Sequence, residues 1–389
     1  MVFSKRMDMF PAGIFSELAE LRKGLESRGV RVIDLGVGTP NLPPEPHIVE
    51  ALEKAVKDSS NYIYAINDLP ELREAVAQWY LNRYETELCP NSEIISLNGS
   101  QDGLAHLALT LVDPGDTVLV PEPCYPIFEQ GALLAGANVS HMPLRRENGY
   151  IIDFNDIDPK VAAKTKLMVV SYPNNPTAAV APPAFYQELI EFATKYGIAV
   201  LHDNAYSELA FDGRKCGSFL AYPGAKQIGI EFNSLSKTYG IAGCRIGFAL
   251  GNRDIIKNLA TLKSNIDYGV FLPIQKAAIA AVTGPQDGVG RTREAYRRRR
   301  DLLVDGLADI GWHIEKPAGT MFVWAKLPKG YLSSRDFVMN LMERAGVVMV
   351  PGSCFGKLGE GNVRIALVQD EKDILEAISR IKESGIINK

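Results

Sequence analysis

The chain has 389 residues, 46% of them apolar and 23% charged, with a formal net charge of −4 at pH 7. That length is long for one domain and natural for two, with ample material for a core that needs no staples. The charge offers no basic field to nucleic acid, and no apolar run nears the length of a membrane span. Five scattered cysteines without a Cys-x-x-Cys pair argue for a reducing cytoplasm and against a disulfide framework or a metal site.

From the amino end, residues 1–10 carry Lys5, Arg6 and Asp8 and lack an apolar h-region, so no secretory signal is expected. Ile14, Leu18, Leu21 and Leu25 are spaced for a helix over 14–28. A strand is expected at 30–35, followed by the glycine-bounded loop Gly36-Val37-Gly38. Residues 47–57 read as a helix, and Pro70 starts another. A strand over 94–97 then meets Asn98-Gly99-Ser100-Gln101 and a helix carrying Leu104, Leu107 and Leu111 on one face. Strand, glycine turn and helix start together offer free backbone N–H groups to an anion.

Further strands are expected at 117–120, 166–171, 198–201, 228–232 and 246–250, with helices over 185–196 and 273–282 between and after them. Each of the first three is followed by a polar or aromatic candidate: Tyr125, Asn175, and Asp203 with Tyr206. Ligands gather at the carboxyl ends of strands in open α/β sheets. Each residue also has a plainer reading: Tyr125 as packing, Asn175 as a turn, Asp203 as a helix cap. The arginine-dense stretch 291–301 reads as a solvated, salt-bridged helix. Residues 311–326 suggest two strands turning at 317–322. With 347–356 and 362–366 they would complete a small α/β domain.

The chain is organised around Ser234-Leu235-Ser236-Lys237-Thr238-Tyr239-Gly240, which follows a buried strand and precedes Arg245-Ile246-Gly247. A lone lysine is most simply a surface charge. Hydroxyls and an arginine, however, suit a phosphate dianion. An amine beside a phosphate site is the layout that pyridoxal 5′-phosphate requires, with a carbon–nitrogen double bond to the lysine and the phosphate held nearby.

The pattern Ser-x-Ser-Lys-x-x-Gly with Arg-x-Gly after it resembles the lysine motif of class I/II aminotransferases, the fold-type I pyridoxal-phosphate enzymes. The resemblance spans nearly the whole chain, because Gly99-Ser100-Gln101, Tyr125, Asn175, Asp203, Tyr206, Ser234, Ser236, Lys237, Arg245 and Arg364 follow the family's order. It implies an α/β fold with a large domain, a mostly parallel seven-stranded sheet, and a smaller α/β domain. Residues 1–45 would join the small domain, 46–288 would form the large one and 289–389 the small one.

The resemblance also implies roles. Lys237 would hold the cofactor and then act as base on Cα, Asp203 would keep the pyridine nitrogen protonated, and Tyr206 and Asn175 would meet the 3′-oxygen. Tyr125 would stack on the ring, while Ser100, Gln101, Ser234, Ser236 and Arg245 would hold the phosphate. Arg364 and the Gly38 loop would take the substrate carboxylate. Tyr64, or less readily Tyr62, would reach the cofactor phosphate of a partner subunit in a homodimer. Partners are then an amino acid and a 2-oxo acid, with no nucleic acid, membrane or metal.

Asn265-Ile266-Asp267-Tyr268-Gly269-Val270-Phe271 is similar to a narrower group, the LL-diaminopimelate aminotransferases, which makes LL-diaminopimelate the leading donor and 2-oxoglutarate the acceptor. Tyr268 stands where that group has serine, Gly13 where it has tyrosine, and Ala178 where the wider family has glycine. Alanine, methionine or an aromatic amino acid stays open as donor, as does a carbon–sulfur β-lyase reaction on the same cofactor. An aminotransferase-like effector domain of a transcription regulator would need a DNA-binding domain, which is not expected here.

Overall fold

The computed structural model describes residues 3–10 and 13–388. Its strands are β1 (Ile33–Asp34), β2 (Ile94–Leu97), β3 (Thr117–Glu122), β4 (Asn138–Pro143), β5 (Thr165–Ser171), β6 (Ala199–Asp203), β7 (Gly229–Ser234), β8 (Gly247–Gly251), β9 (Phe322–Lys326), β10 (Val347–Val348), β11 (Val350–Pro351) and β12 (Asn362–Ala366). Seven of them form one sheet in the order β2-β8-β7-β6-β5-β3-β4. The pairs β7–β6, β6–β5, β5–β3 and β3–β4 are parallel, whereas β8 runs antiparallel to both neighbours. Six strands therefore end at one edge, and β8 begins there.

Burial on both faces explains why these strands read as continuous apolar runs. In β5, Leu167, Met168, Val169 and Val170 are all buried. Met168 and Val170 face one core with Leu119, Val200 and Leu250, while Leu167 and Val169 face the other with Val118, Val120 and Phe232. Period-two alternation thus divides one strand between two helical layers.

A third core lies around the antiparallel sheet β11-β12-β9 and the parallel pair β1–β10. Leu18, Leu25, Ile33 and Leu35 pack there with Leu303, Phe337 and Ile374, so the amino-terminal segment shares a core with the carboxyl-terminal third.

Three expectations need correction. The strand expected over 30–35 contains only Ile33–Asp34, because β10 offers only two residues to pair with. Residues 311–326 hold one strand, β9, instead of two. Their first half bonds to a neighbouring loop: Phe211 N–H donates to Ala318 O, Thr320 N–H donates to Leu209 O, and Ala210 bridges Gly319. The arginine-dense segment lies within the helix Asp287–Asp309, but its solvated character fails at two positions. Arg299 is buried and donates to Asn41 Oδ1 and Leu367 O, and Arg300 is buried and donates to Asp212 and Pro317 O. These two guanidiniums join the helix to distant loops, a long-range demand that charge density does not reveal.

Candidate active site

The carboxyl ends of β2, β3, β5, β6 and β7 surround a cavity of about 330 Å³. Its walls include Gly38, Ser100, Gln101, Tyr125, Asn175, Asp203, Tyr206, Ser234, Ser236, Lys237, Arg245 and Arg364. The candidate side chains named from the sequence meet here, except Tyr64 and its alternative Tyr62. Tyr64 is 82% exposed, with its ring centroid 5.7 Å from that of Tyr268, and Tyr62 is exposed as well. Tyr268 likewise does not line this cavity. Of residues 10–15, Pro11 and Ala12 lie outside the described residues, as do the side chains of 13–16.

Lys237 sits in the short helix Leu235–Thr238, directly after β7. Ser234 caps that helix, its Oγ accepting from Ser236 N–H at 3.2 Å. The Lys237 ammonium donates to Gly38 O at 2.8 Å. Burial, helped by the positive charges of Arg364 and Arg245, lowers its pKa to about 8. A useful fraction of the amine is therefore neutral near physiological pH.

Asp203 ends β6, and desolvation raises its carboxyl pKa to about 7. Its Oδ1 is buried and has no hydrogen-bond partner among the described residues. A buried carboxylate oxygen without a donor is costly unless something supplies one. A protonated pyridine nitrogen is such a donor and also a cation, so the residue fits pyridoxal phosphate. Tyr206 is buried as well, which pushes its phenol up.

Arg364, on β12, is 7% exposed. It donates from Nη1 to Asn175 Oδ1 at 3.0 Å and from Nη2 to Gly36 O at 2.9 Å. Its guanidinium lies over two rings, 4.2 Å from the Phe322 centroid and 4.8 Å from that of Phe355. Desolvation lowers its pKa to about 10, which leaves it charged at neutral pH. The glycine loop is shaped by Asp34, whose Oδ1 accepts from Gly36 N–H and Val37 N–H. A side chain at Gly38 would come within 2.6 Å of the Phe322 ring.

On the opposite wall, Tyr125 donates through its hydroxyl to Gln101 Oε1 at 3.1 Å. Gly99 has φ +79°, and a Cβ there would collide with the Arg245 guanidinium. That close approach brings Arg245 from the start of β8 against the turn that carries Ser100. Three serine hydroxyls (Ser100, Ser234 and Ser236), the Gln101 amide, the Arg245 guanidinium and the Lys237 amine thus line one cavity, a donor set suited to a phosphate dianion.

Sequence reasoning missed Phe322 and Phe355, which clamp Arg364, and Asp34, which folds the glycine loop. A signal was present only for Asp34: an aspartate two residues before a glycine is a common turn former.

Comparison with known proteins agrees with this geometry. The family described as aminotransferase class I and II matches residues 30–381. The LL-diaminopimelate aminotransferase of Desulforudis audaxviator is 46% identical, with 98% of this chain and 97% of that protein covered. That of Halothermothrix orenii is 44% identical, with 98% of each covered. Among solved structures, substrate-bound BacF from Bacillus subtilis superposes with a TM-score of 0.94 at 39% identity, covering 98% of both chains. A probable N-succinyldiaminopimelate aminotransferase from Thermus thermophilus gives 0.90 at 37%, covering 96% of this chain and all of that one. With the lysine, aspartate and arginine of the cavity in place, the chain belongs to the class I and II aminotransferases, fold-type I enzymes that depend on pyridoxal phosphate.

Proposed function

We propose that the protein transfers the amino group of LL-diaminopimelate to 2-oxoglutarate, using pyridoxal 5′-phosphate. The observation that carries this reading is the convergence of Lys237, Asp203 and Arg364 on one cavity, each with its protonation shifted by burial. The donor follows from the relatives named LL-diaminopimelate aminotransferase, which align along almost the full chain.

The cofactor supplies an electron sink for the charge left on Cα when its proton departs. The chain's residues do the rest. Arg364 presents a planar pair of N–H donors to the substrate α-carboxylate, with the Gly36–Gly38 loop beside it. Holding the carboxylate fixes Cα in the cavity and orients the bond to be broken. Lys237, partly neutral at working pH, would hold the cofactor through its amine and, once free, would be the base placed to take the Cα proton. Asp203, a buried carboxyl, would keep a proton on the pyridine nitrogen. Asn175, Tyr206 and Tyr125 would hold the ring, and Ser100, Gln101, Ser234, Ser236 and Arg245 would hold the phosphate.

The active form is a homodimer. Tyr62, Ile63, Tyr64, Ile66, Ile266 and Tyr268 are all exposed, and the Tyr64 and Tyr268 rings touch, which suits an apolar surface covered by a partner. Tyr64 belongs to that patch and would serve the partner's phosphate. The five cysteines are unpaired, which suits the cytoplasm.

A coupled assay with 2-oxoglutarate and a panel of donors tests the reading. Glutamate should form with LL-diaminopimelate. Glutamate from alanine, methionine or an aromatic amino acid but not from diaminopimelate would replace the donor. Ammonia and pyruvate from cystathionine, without glutamate from any donor, would replace the reaction by a β-lyase.

A further inference from the structure

Lys263 lies on the helix Arg253–Ile266, yet its side chain is only 4% exposed. Lysine is rarely buried so deeply unless it is paired. It does not line the cavity. Its ammonium donates to Asp102 Oδ2 at 2.6 Å and to Asp267 Oδ2 at 2.8 Å. The same two oxygens also hold Asn98. Its backbone N–H donates to Asp102 and its side-chain amide to Asp267, each at 3.0 Å. Asp102, His106 and Asp267 bring their ligand atoms within 4.8 Å of one another, as for a metal ion. The Lys263 ammonium already supplies a cation to both carboxylates.

Asn98 immediately precedes Gly99, whose backbone abuts Arg245, and then Ser100 and Gln101. A displacement of Asn98 therefore reaches the anion-binding wall within one or two residues. Asp102 also raises an electrostatic problem. It is an anion on the same turn of chain as the groups that must receive a dianion. The Lys263 ammonium, 2.6 Å from Asp102 Oδ2, offsets it. Buried ion pairs add little net stability but are costly to break, and they are well suited to fixing one arrangement of the chain.

We propose that Lys263, acting through Asp102 and Asp267, is a positioning residue for the phosphate of the cofactor. It locks the turn from Asn98 to Gln101 against Arg245 and neutralises the carboxylate behind it. The inference rests on the reading of that wall as the phosphate site.

The experiment measures dissociation constants of pyridoxal 5′-phosphate and of unphosphorylated pyridoxal from the apoprotein, by absorbance titration. Wild type should prefer the phosphorylated form. A wild type that binds both equally would overturn the phosphate reading and this inference with it. In Lys263→Met, binding of pyridoxal phosphate should weaken roughly ten- to hundredfold, the range met when groups behind a metal's ligands are removed. Pyridoxal binding should not change. At saturating cofactor, kcat should stay within about twofold of wild type, since no group touching substrate is altered. Lys263→Met/Asp267→Asn keeps the local charge balanced and serves if the single variant does not fold. It should show the same phosphate-specific loss. An unchanged preference for the phosphorylated form, or equal weakening toward both ligands, overturns the role assigned to Lys263.

Discussion

Asp203 is held in the apoprotein at a price in stability that its chemistry requires. Its folded pKa of about 7 lies well above the ordinary 3.8, and burial is the largest cause. Besides burial, His202 and the Ala205 backbone N–H lower that pKa, and Glu231 raises it. A carboxyl with a raised pKa penalises the folded state where it is ionised. The penalty is absent below about pH 4, grows as pH climbs through 4 to 7, and is complete above. Asp203→Asn removes it. The apoprotein of that variant should match wild type near pH 4 and exceed it at pH 8, by about 2–4 kcal/mol at most. Denaturant unfolding of both apoproteins at the two pH values checks the sign. Transaminase activity should be lost, because an amide cannot hold the pyridine proton. Equal apoprotein stability at pH 8 would mean that Asp203 finds a partner in solution.

Arg364 makes the complementary case. Set over the Phe322 and Phe355 rings and bonded to Asn175 and Gly36, its guanidinium is held before any substrate arrives. Arg364→Lys keeps the charge but loses the fork and the stacking. Steady-state kinetics should show kcat/KM for the amino donor reduced by about 10²-fold, corresponding to one charge-assisted hydrogen bond of roughly 2–3 kcal/mol. A change below threefold would place the carboxylate elsewhere.

At the scale of elements, the turn Asn98-Gly99-Ser100 joins β2 to the cavity wall. Its glycine has a backbone conformation closed to other residues and lies against Arg245. Gly99→Ala should cost about 1–3 kcal/mol of stability from the backbone alone. It should also weaken cofactor binding, because Arg245 must move; thermal melts with and without cofactor separate the two effects. The legibility of the sequence divides at this same scale. Strands buried on both faces read as apolar runs, and the residues after β2, β3, β5, β6 and β7 are short-range consequences of where those runs end. Their meeting in one cavity follows from sheet direction. The clamp of Phe322 and Phe355 on Arg364 was not legible, since aromatic residues in a strand or loop read as core. Lys263 was not legible either, because a single lysine on a helix reads as solvated until its two carboxylates, one of them 161 positions earlier, come beside it. Arg299 and Arg300 were misread for the same reason.

At the scale of the whole molecule, one chain builds nearly the entire cavity yet leaves Tyr64 outside it, in an exposed apolar patch. In the proposed dimer, a two-fold axis gives each cavity the partner's Tyr64. Subunit complementation tests this arrangement without relying on the strength of the interface. Lys237→Ala should abolish activity in its own cavity while retaining an intact Tyr64 to donate. Tyr64→Ala should weaken its partner's cavity while keeping its own lysine. Unfolding and refolding an equal mixture should place hybrids in about half of the dimers. Each hybrid holds one cavity with both groups intact and one with neither. The mixture should then recover about a quarter of wild-type activity per subunit, clearly above the mean of the two parents. Activity no higher than that mean after verified exchange would show that Tyr64 serves its own chain or neither.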